Sequence, residues 1–399
     1  MLATLTRRLG SLDLAEDAVQ DAVVKALRRW PHSGVPDNPA AWLTTTANNA
    51  ALDRLRRETK RGPKEEAAVR LGAGSMGEGA FEPDLPTSSA VADDLLRLVF
   101  TCCHPALNPD ARVALSLRTL CGLTTAEVAA AFLVAEPTMA QRIVRAKRKI
   151  AGANIPYRVP ADHELPDRLP AVLAVVYVVF TEAHHSSSAD APVRVDLGDE
   201  AIRLGRLLVD LMPDVPECRG LLALMLATHA RRDARIDGAG GLVLLADQDR
   251  SRWDHRAIAE AVAIVDETLR HRDVGPYQVQ AAIACLHGVA STTDETDWAQ
   301  IAELYGILER LQPTAVVRVN RSAAVAEALG PEAGLAVLDS VDGVEGWHLF
   351  HSARAALLRR LDRRAEAVAA YRQALGCSPS EADRRFLERR LTEMGATSR

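Results

Sequence analysis

The chain of 399 residues is poor in aromatic residues, since Phe, Trp and Tyr together make up only 4% of it. It also has almost no stretch in which β-branched and polar residues alternate, which is the pattern of a half-buried strand. Ala, Leu and Arg are abundant, and all three favour helices. Because hydrophobic residues account for 48% of the chain, a core of two or three domains can be buried. The composition therefore predicts an all-α protein.

Cysteine is scarce, and no two cysteines have the C-x-x-C spacing of a zinc ribbon or a redox motif. The adjacent Cys102 and Cys103 of "TCCHP" cannot easily share one tetrahedral metal site, and no further ligand pair stands nearby. His184 and His185 lie beside serines and are more typical of an exposed loop than of a metal site. We therefore expect reduced thiols in a cytoplasmic protein, with no metal and no cofactor.

Long apolar runs and the motifs of common catalytic sites are also missing. The longest apolar run, "LPAVLAVVYVVF" (Leu169–Phe180), is too short to span a bilayer and predicts a buried core helix. The segment "MLATLTRRLG" lacks the organisation of a signal peptide. There is no G-x-x-x-x-G-K-[ST], H-E-x-x-H, G-x-S-x-G or Rossmann fingerprint. The polar, turn-rich segment Arg235–Asp254 leads into no Lys-bearing helix N-terminus that would hold a phosphate. We expect a protein that is not an enzyme and does not insert into a membrane.

Positive charge is concentrated in two places, although the formal net charge of the chain is −5. The first cluster consists of Arg54, Arg56, Arg57, Lys60, Arg61 and Lys64. The second consists of Arg142, Arg145, Lys147, Arg148, Lys149 and Arg158. Two basic clusters on an acidic chain indicate local contact with a polyanion.

The second cluster falls in a helix-turn-helix pattern, "LTTAEVAAAFLVAEPTMAQRIVRAKRKI" (Leu123–Ile150). Thr124 and Glu127 have the spacing of a capping box, which predicts a short helix from about Thr125 to Phe132. A turn follows, and Pro137 suits the first position of a second helix. The polar face of that helix carries Thr138, Gln141, Arg142, Arg145, Arg148 and Lys149. A capped helix, a turn and a basic helix indicate DNA binding, whereas the alternative is an ordinary solvated face.

Two further helices are predicted near the start of the chain. One begins in "LDLAEDAVQDAVVKALRRW", where we predict Asp13 as the N-cap and Glu16 three residues later. The other begins at about Pro39 or Ala40 and ends in the first basic cluster. Residues 62–92 are rich in Gly, Pro and Ser, which is typical of a linker.

Helical hairpins are predicted near the end of the chain. The dipeptides that begin at Glu332 and Glu366 are both Glu-Ala, and they are 34 residues apart, which is the tetratricopeptide period. Small and large apolar residues alternate around the second of them, as helix-pair stacking requires. Helical hairpins of another kind would look similar, so the pattern predicts tetratricopeptide-like packing without excluding that alternative.

Taken in order, "DLAEDAVQDAVVKALRRW", "NPAAWLTTTANNAALDRLRR", the linker and the helix-turn-helix resemble an extracytoplasmic-function sigma factor of the sigma-70 family. The tail from "NIPYRVPADHELPDRLPAVLAVVYVVF" onward resembles the subgroup with a long helical extension. The resemblance implies region 2 over residues 1–61, with its front helix missing from this chain. It implies a flexible linker over 62–92, region 4 over 93–155, and over 156–399 a helical extension that is tetratricopeptide-like toward its end.

The resemblance also implies partners and site residues. The partners are RNA polymerase core, through its β′ clamp and β flap, promoter DNA, and a regulatory protein that binds the extension. The implied core contacts are Asp17, Gln20, Asp21 and Lys25. The implied −10 contacts are Asn48, Asn49, Arg54, Arg56, Arg57 and Lys60. The implied −35 contacts are Thr138, Gln141, Arg142, Arg145, Lys147 and Arg148. Trp42 lies in an apolar stripe, so we predict that it packs in the core rather than stacking on a base.

A second interpretation is a helix-turn-helix regulator with a tetratricopeptide-like effector domain, which would bind duplex operators without polymerase. Such a regulator would not need the polar face formed by Asp17, Gln20, Asp21 and Lys25, or the segment around Asn48, in order to bind DNA. A scaffold protein is a third interpretation, and it would not need two separate basic clusters.

Overall fold

The computed structural model of the chain describes residues 1–59, 88–132, 134–153, 155, 157–185, 195–235, 243–270, 274–377 and 381–395. In these ranges the chain forms eighteen α-helices and no strand, so the prediction of an all-α fold is confirmed. The chain divides into two compact units, Met1–Val175 and Val176–Arg399. Among the described helices, none combines the length and the apolar composition that crossing a bilayer requires.

The first unit contains seven complete helices and the start of an eighth. They are α1 (Leu2–Leu9), α2 (Leu12–Ser33), α3 (Pro39–Thr59), α4 (Ser88–Cys102), α5 (Pro109–Thr119), α6 (Thr125–Ala131), α7 (Glu136–Gly152) and α8 (Leu165–His185). The first three form a bundle whose core contains Leu5, Ala15, Ala18, Ala22, Ala47 and Ala51. Because most of these side chains are small, α2 and α3 can pack closely along their length.

The start of α2 differs from the prediction. Ser11, not Asp13, is the N-cap: the backbone N–H of Leu14 donates to Ser11 Oγ at 3.3 Å, and the helix begins at Leu12. Gly10 ends α1 in the left-handed conformation, with φ of 66°, and Ser11 is then extended. The short turn therefore places Ser11 at the cap, and the Asp13 carboxylate is left exposed for another contact.

The helix-turn-helix follows the prediction closely. The N–H of Thr124 donates to Glu127 Oε2 at 2.7 Å, and the N–H of Glu127 donates to Thr124 Oγ1 at 3.2 Å, so the capping box is confirmed. Helix α7 begins at Glu136, one residue before Pro137. Helix α4 begins at Ser88, inside the segment predicted as a linker, whose residues 62–87 lie outside the described ranges.

Tyr157 joins the first three helices to the helix-turn-helix group. Its hydroxyl oxygen lies 2.8 Å from the carbonyl oxygen of Ala3 and 3.0 Å from that of Asp94. The Asp94 carboxylate is buried, and it pairs with Arg7 at 2.7 Å and with Arg97 at 3.1 Å. Regions that are far apart in sequence are thus held in one unit.

The second unit consists of the end of α8 and ten further helices. These are α9 (Val195–Leu211), α10 (Pro216–His229), α11 (His255–Thr268), α12 (Pro276–Val289), α13 (Trp298–Leu311), α14 (Ala315–Leu329), α15 (Pro331–Asp339), α16 (His348–Arg360), α17 (Arg364–Gly376) and α18 (Glu381–Glu393). Helix α10 is buried along most of its length and packs closely on α12. Gly220 permits this approach, because a Cβ atom there would lie 2.7 Å from the backbone nitrogen of Gln278.

The predicted hairpins near the end of the chain are confirmed. Glu332 and Glu366 lie in the first turns of α15 and α17, the second helices of the pairs α14–α15 and α16–α17. The shared core of these pairs includes Leu338, Ala355, Leu358, Ala367, Ala370, Tyr371 and Ala374.

Candidate nucleic-acid interface

Helix α7 presents a polar face to solvent because its apolar face is buried. Met139, Ile143 and Ala146 point into the first unit. The side chains of Thr138, Gln141, Arg145 and Arg148 are exposed on the opposite face. Arg142 is half-buried beside them. Five of the six residues predicted to contact the −35 element are therefore open to a ligand on one helix face.

Arg142 has one weak partner. Its Nη1 lies 3.9 Å from Oδ2 of Asp110, whose side chain is 70% exposed in the first turn of α5. An exposed ion pair of that length contributes little to stability, so Arg142 can exchange Asp110 for another acceptor at small cost.

Lys147 differs from the other five residues. Its Nζ lies 2.5 Å from Glu16 Oε2 and 3.3 Å from Asp13 Oδ1, and both acids belong to α2. The Lys147 side chain is only 13% exposed. In this arrangement two carboxylates hold an ammonium group that is largely shielded from solvent, so it is not open to a phosphate as the other five side chains are. Helix α2 therefore holds one of the predicted −35 contacts, Lys147, in an ion pair.

Three residues of the first basic cluster, Arg54, Arg56 and Arg57, lie in the C-terminal half of α3. Asn49 and Arg54 are exposed, and Asn48 is half-buried. Arg54 Nη1 pairs with Asp17 Oδ2 at 2.6 Å across the α2–α3 contact. The side chains of Arg56 and Arg57, and all of Lys60, lie outside the described part of the chain. The predicted −10 contacts that are described thus share one helix, and Arg54 also fixes a predicted core contact.

Trp42 packs against Trp30 but is only half-buried, so it does not lie in the core as predicted. Its ring centroid lies 5.5 Å from that of Trp30, at an interplanar angle of 60°. Both rings are half-buried. The pair connects the end of α2 to the start of α3, where Asn38 Oδ1 accepts from the N–H of Ala41 at 3.0 Å. Trp42 therefore contributes to the α2–α3 turn.

The outer face of α2 carries the residues predicted to bind polymerase core. Gln20, Asp21 and Lys25 are exposed, and Asp17 is half-buried. The same face carries hydrophobic residues that the sequence analysis missed: Val23, Val24 and Leu27 are 39%, 45% and 70% exposed. Their spacing places them among the polar residues on one side of the helix, and this spacing was the available signal. A contiguous patch of this kind is typical of a protein-binding surface.

The thiols near the interface are not activated. Burial raises the pKa of Cys103 to about 12, and burial raises that of Cys102 well above its usual value. Both side chains are therefore protonated at neutral pH, when only a thiolate would act as a nucleophile or metal ligand. No cluster of three or more potential metal ligands occurs among the residues that the structure describes.

Three family models match the chain. Sigma-70 region 2 matches residues 1–61, Sigma-70 region 4 matches residues 97–150, and a family of unknown function (DUF6596) matches residues 168–269. The first match contains α1–α3, and the second contains the helix-turn-helix. The third begins in α8 and ends after α11.

Several proteins are similar to the chain. The uncharacterized protein R00370 of Rhizobium meliloti (strain 1021) is 41% identical over 398 residues, which cover 99% of this chain and 93% of that protein. The ECF RNA polymerase sigma factor SigJ of Mycobacterium tuberculosis is 30% identical over 44% of this chain and 55% of its own length. The ECF RNA polymerase sigma-E factor of Escherichia coli (strain K12) is 29% identical over 37% of this chain and 78% of its own length. No solved structure matches the chain.

Proposed function

We propose that this chain, which belongs to the extracytoplasmic-function group of the sigma-70 family, binds RNA polymerase core and directs transcription from promoters with paired −35 and −10 elements. One observation carries the proposal: regions 2 and 4 occur in family order, and each exposes the helix face that its role requires. The chain itself performs no bond chemistry and needs no cofactor, because the polymerase supplies the catalytic site.

The −35 element is read by α7 in the major groove. Residues early in a recognition helix reach base edges, and flanking residues hold phosphates. Gln141, Arg142 and Arg145 are exposed or half-buried in the first turns and read bases. Thr138 and Arg148 hold phosphates, and Lys147 does so once it is released from α2.

Replacing Arg142 with Ala tests base reading. We expect binding to a −35 duplex to weaken by about 1–3 kcal/mol, and binding to unrelated duplex DNA to weaken much less, because a bidentate contact to a base is specific. Fluorescence anisotropy at fixed salt concentration measures both affinities. Arg158→Ala is the control, since Arg158 pairs with Glu164 at 2.6 Å, outside the helix. If the variant loses the same affinity for both duplexes, Arg142 contacts a phosphate instead of a base.

The −10 element is opened and held by α3. Opening a strand requires acceptors and donors for an unstacked base, together with cations along the backbone. Asn48 and Asn49 supply amide groups, and Arg54, Arg56, Arg57 and Lys60 supply positive charge. Arg54 exchanges Asp17 for a phosphate when DNA binds.

The outer face of α2 binds the core enzyme at the clamp of its β′ subunit. Asp17, Gln20, Asp21 and Lys25 supply the polar contacts around Val24 and Leu27. An exposed apolar centre with a polar rim is the usual composition of a protein interface. Region 4 binds the β flap, and the helical extension modulates activity through contact with the polymerase or a regulatory protein.

The Lys147 contact suppresses DNA binding by the free chain. Lys147 and Glu16 are 13% and 14% exposed, so their ion pair is shielded from water and resists opening more than an exposed pair would. Core binding draws region 2 away from region 4, because the two promoter elements are separated on the DNA. The ion pair must then break, and Lys147 becomes available to a phosphate.

Replacing Glu16 with Gln is expected to raise the affinity of the free chain for a −35 duplex by about threefold to tenfold, since a hydrogen bond to a charged group contributes about 1.5–3 kcal/mol and Asp13 replaces part of it. Glu164→Gln removes the same charge from a pair with Arg158 and serves as the control. Anisotropy with the free chain provides the measurement. If Glu16→Gln binds the −35 duplex with the same affinity as Glu164→Gln, the Lys147 contact does not suppress DNA binding.

A second candidate function is that of a helix-turn-helix regulator that binds duplex DNA without polymerase. The exposed face of α7 would suit it equally well. The exposed apolar patch of α2 favours the sigma factor, because a regulator that binds duplex DNA without polymerase does not require this protein-binding surface.

A further inference from the structure

Arg231 lies directly after α10 in the second unit, and its charge is poorly compensated. Its Nε is buried and has no hydrogen-bond partner. Among the described residues, no carboxylate forms an ion pair with it; the neighbouring Asp233 pairs with Arg232 instead, at 3.8 Å. The residue as a whole is half-buried, and a charge that is partly removed from water is normally paired, because an isolated one opposes folding. The missing acceptor for the Arg231 guanidinium therefore points to a partner from outside the described residues.

The surroundings of Arg231 are cationic and aromatic. Its Cζ lies 5.8 Å from the ring centroid of Trp253, and the Cζ of Arg250 lies 4.6 Å from the same centroid. Arg250 already has acceptors: its Nη1 donates to the carbonyl oxygens of His287 at 2.8 Å and Ala290 at 2.6 Å. These contacts fix Arg250 at the C-terminal end of α12, so it supplies positive potential rather than a partner for Arg231.

The charges remain in place at neutral pH. Burial, followed by the nearby Arg235 and Arg250, lowers the pKa of Arg231 to about 10, yet the guanidinium stays protonated. Burial, followed by Arg231 and Arg250, lowers the pKa of His287 to about 4, so this imidazole is neutral. The site thus combines a charged guanidinium with a neutral ring whose nitrogens can bond a ligand.

Two further polar atoms near Arg231 are buried without partners. They are Nε1 of Trp253 and Nδ1 of His287. The indole N–H can only donate, and a neutral imidazole can donate from one nitrogen. Buried polar groups in folded proteins are nearly always satisfied by protein, water or an ion. The Arg231 Nε and the two nitrogens beside it can share one acceptor, and the cationic surroundings favour an acceptor that carries negative charge.

We propose that Arg231, Trp253 and His287 form a binding site for the oxyanion group of a small molecule, either a carboxylate or a phosphate. The planar guanidinium donates two hydrogen bonds to such a group, and the indole N–H donates a third. Arg235 and Arg250, which lie near Arg231, add positive potential. The proposal concerns ligand binding by the extension alone and does not depend on the proposed sigma-factor function.

Calorimetric titration of the full chain with inorganic phosphate, and separately with succinate, tests the site at constant ionic strength. We expect saturable binding of at least one of the two to a single site. Arg231→Met is expected to weaken that binding by about tenfold or more, because it keeps the apolar stem and removes the charge. Arg206→Met is the matched control, since Arg206 pairs with Glu260 at 2.5 Å and should bind the anion like the original chain.

Thermal unfolding separates a binding role from a structural one. Without added anion, Arg231→Met should melt no lower than the original chain, because it removes a half-buried charge that has no carboxylate partner among the described residues. Arg231→Lys keeps the charge without the planar fork and should also bind more weakly. If both variants melt well below the original chain and both still bind the anion normally, Arg231 is structural and the proposal fails.

Two further results would overturn the proposal. One is the absence of phosphate and succinate binding by the original chain in the millimolar range. The other involves Asp237, which lies outside the described residues and is the sole acid between Arg235 and Val243. If Asp237→Asn binds an anion and the original chain does not, Asp237 is an internal partner of Arg231 and the site takes no external ligand.

Discussion

Replacing Leu27 with Asp is expected to weaken binding of the chain to RNA polymerase core by about 30-fold or more, which corresponds to about 2 kcal/mol. Leu27 is 70% exposed on the outer face of α2, so the free chain loses little packing when it is replaced. In the proposed complex the side chain would lie at the apolar centre of the interface, where a carboxylate would be buried without a partner. The variant should fold normally and lose its affinity for core.

Leu329→Asp is the matched control for this prediction. Leu329 is 75% exposed at the end of α14 in the second unit, so the two variants introduce the same charge at similarly exposed leucines. Biolayer interferometry with immobilised core enzyme measures both affinities. If Leu27→Asp binds core as tightly as Leu329→Asp does, the outer face of α2 is not the contact.

Phe100→Ala is expected to lower the free energy of unfolding of the first unit by about 3–5 kcal/mol. Phe100 is fully buried in α4, and Arg168 Nη2 donates to its carbonyl oxygen at 2.9 Å. Removal of the ring leaves a cavity in a core that α4 shares with its neighbours in the first unit. Because Phe100 belongs to the first unit, the loss should appear there.

Phe386→Ala is the control for the stability prediction. Phe386 is half-buried in α18, with the Cζ of Arg390 5.2 Å from its ring centroid, so truncation there should cost much less. Urea unfolding followed by hydrogen exchange assigns each loss to peptides of one unit. Equal losses of unfolding free energy in the two variants, or a Phe100→Ala effect confined to the second unit, would contradict the placement of Phe100 in the core of the first unit.

Most of the fold could be predicted because its signals are local. The capping box at Thr124 and the 34-residue spacing of Glu332 and Glu366 each lie within a short stretch, and the structure follows them. The prediction of Asp13 as the N-cap of α2 was wrong because the position of the cap depends on the turn at Gly10, not on the sequence of the helix. Asp13 has a cap residue's chemistry but instead contacts Lys147, which lies far away in the chain.

The candidate site could be predicted where helical periodicity decides exposure, as on α7. The pairing of Lys147 with Glu16 could not be predicted from the sequence, since these residues are 131 positions apart. The patch at Val24 and Leu27 was missed because apolar residues in a helix are assumed to face a core. Arg231 was missed for a related reason: its lack of a partner is a property of packing between elements, which no local pattern reports.

Run-off transcription with purified core polymerase tests the central claim most directly. The templates are the promoters upstream of the chain's own gene and its neighbours, and each is transcribed with and without the chain. The sigma-factor function predicts initiation at a defined start that depends on the chain and is lost with Leu27→Asp. Binding of the chain to duplex DNA, with no binding to core and no initiation on any template, would contradict it and support the helix-turn-helix regulator.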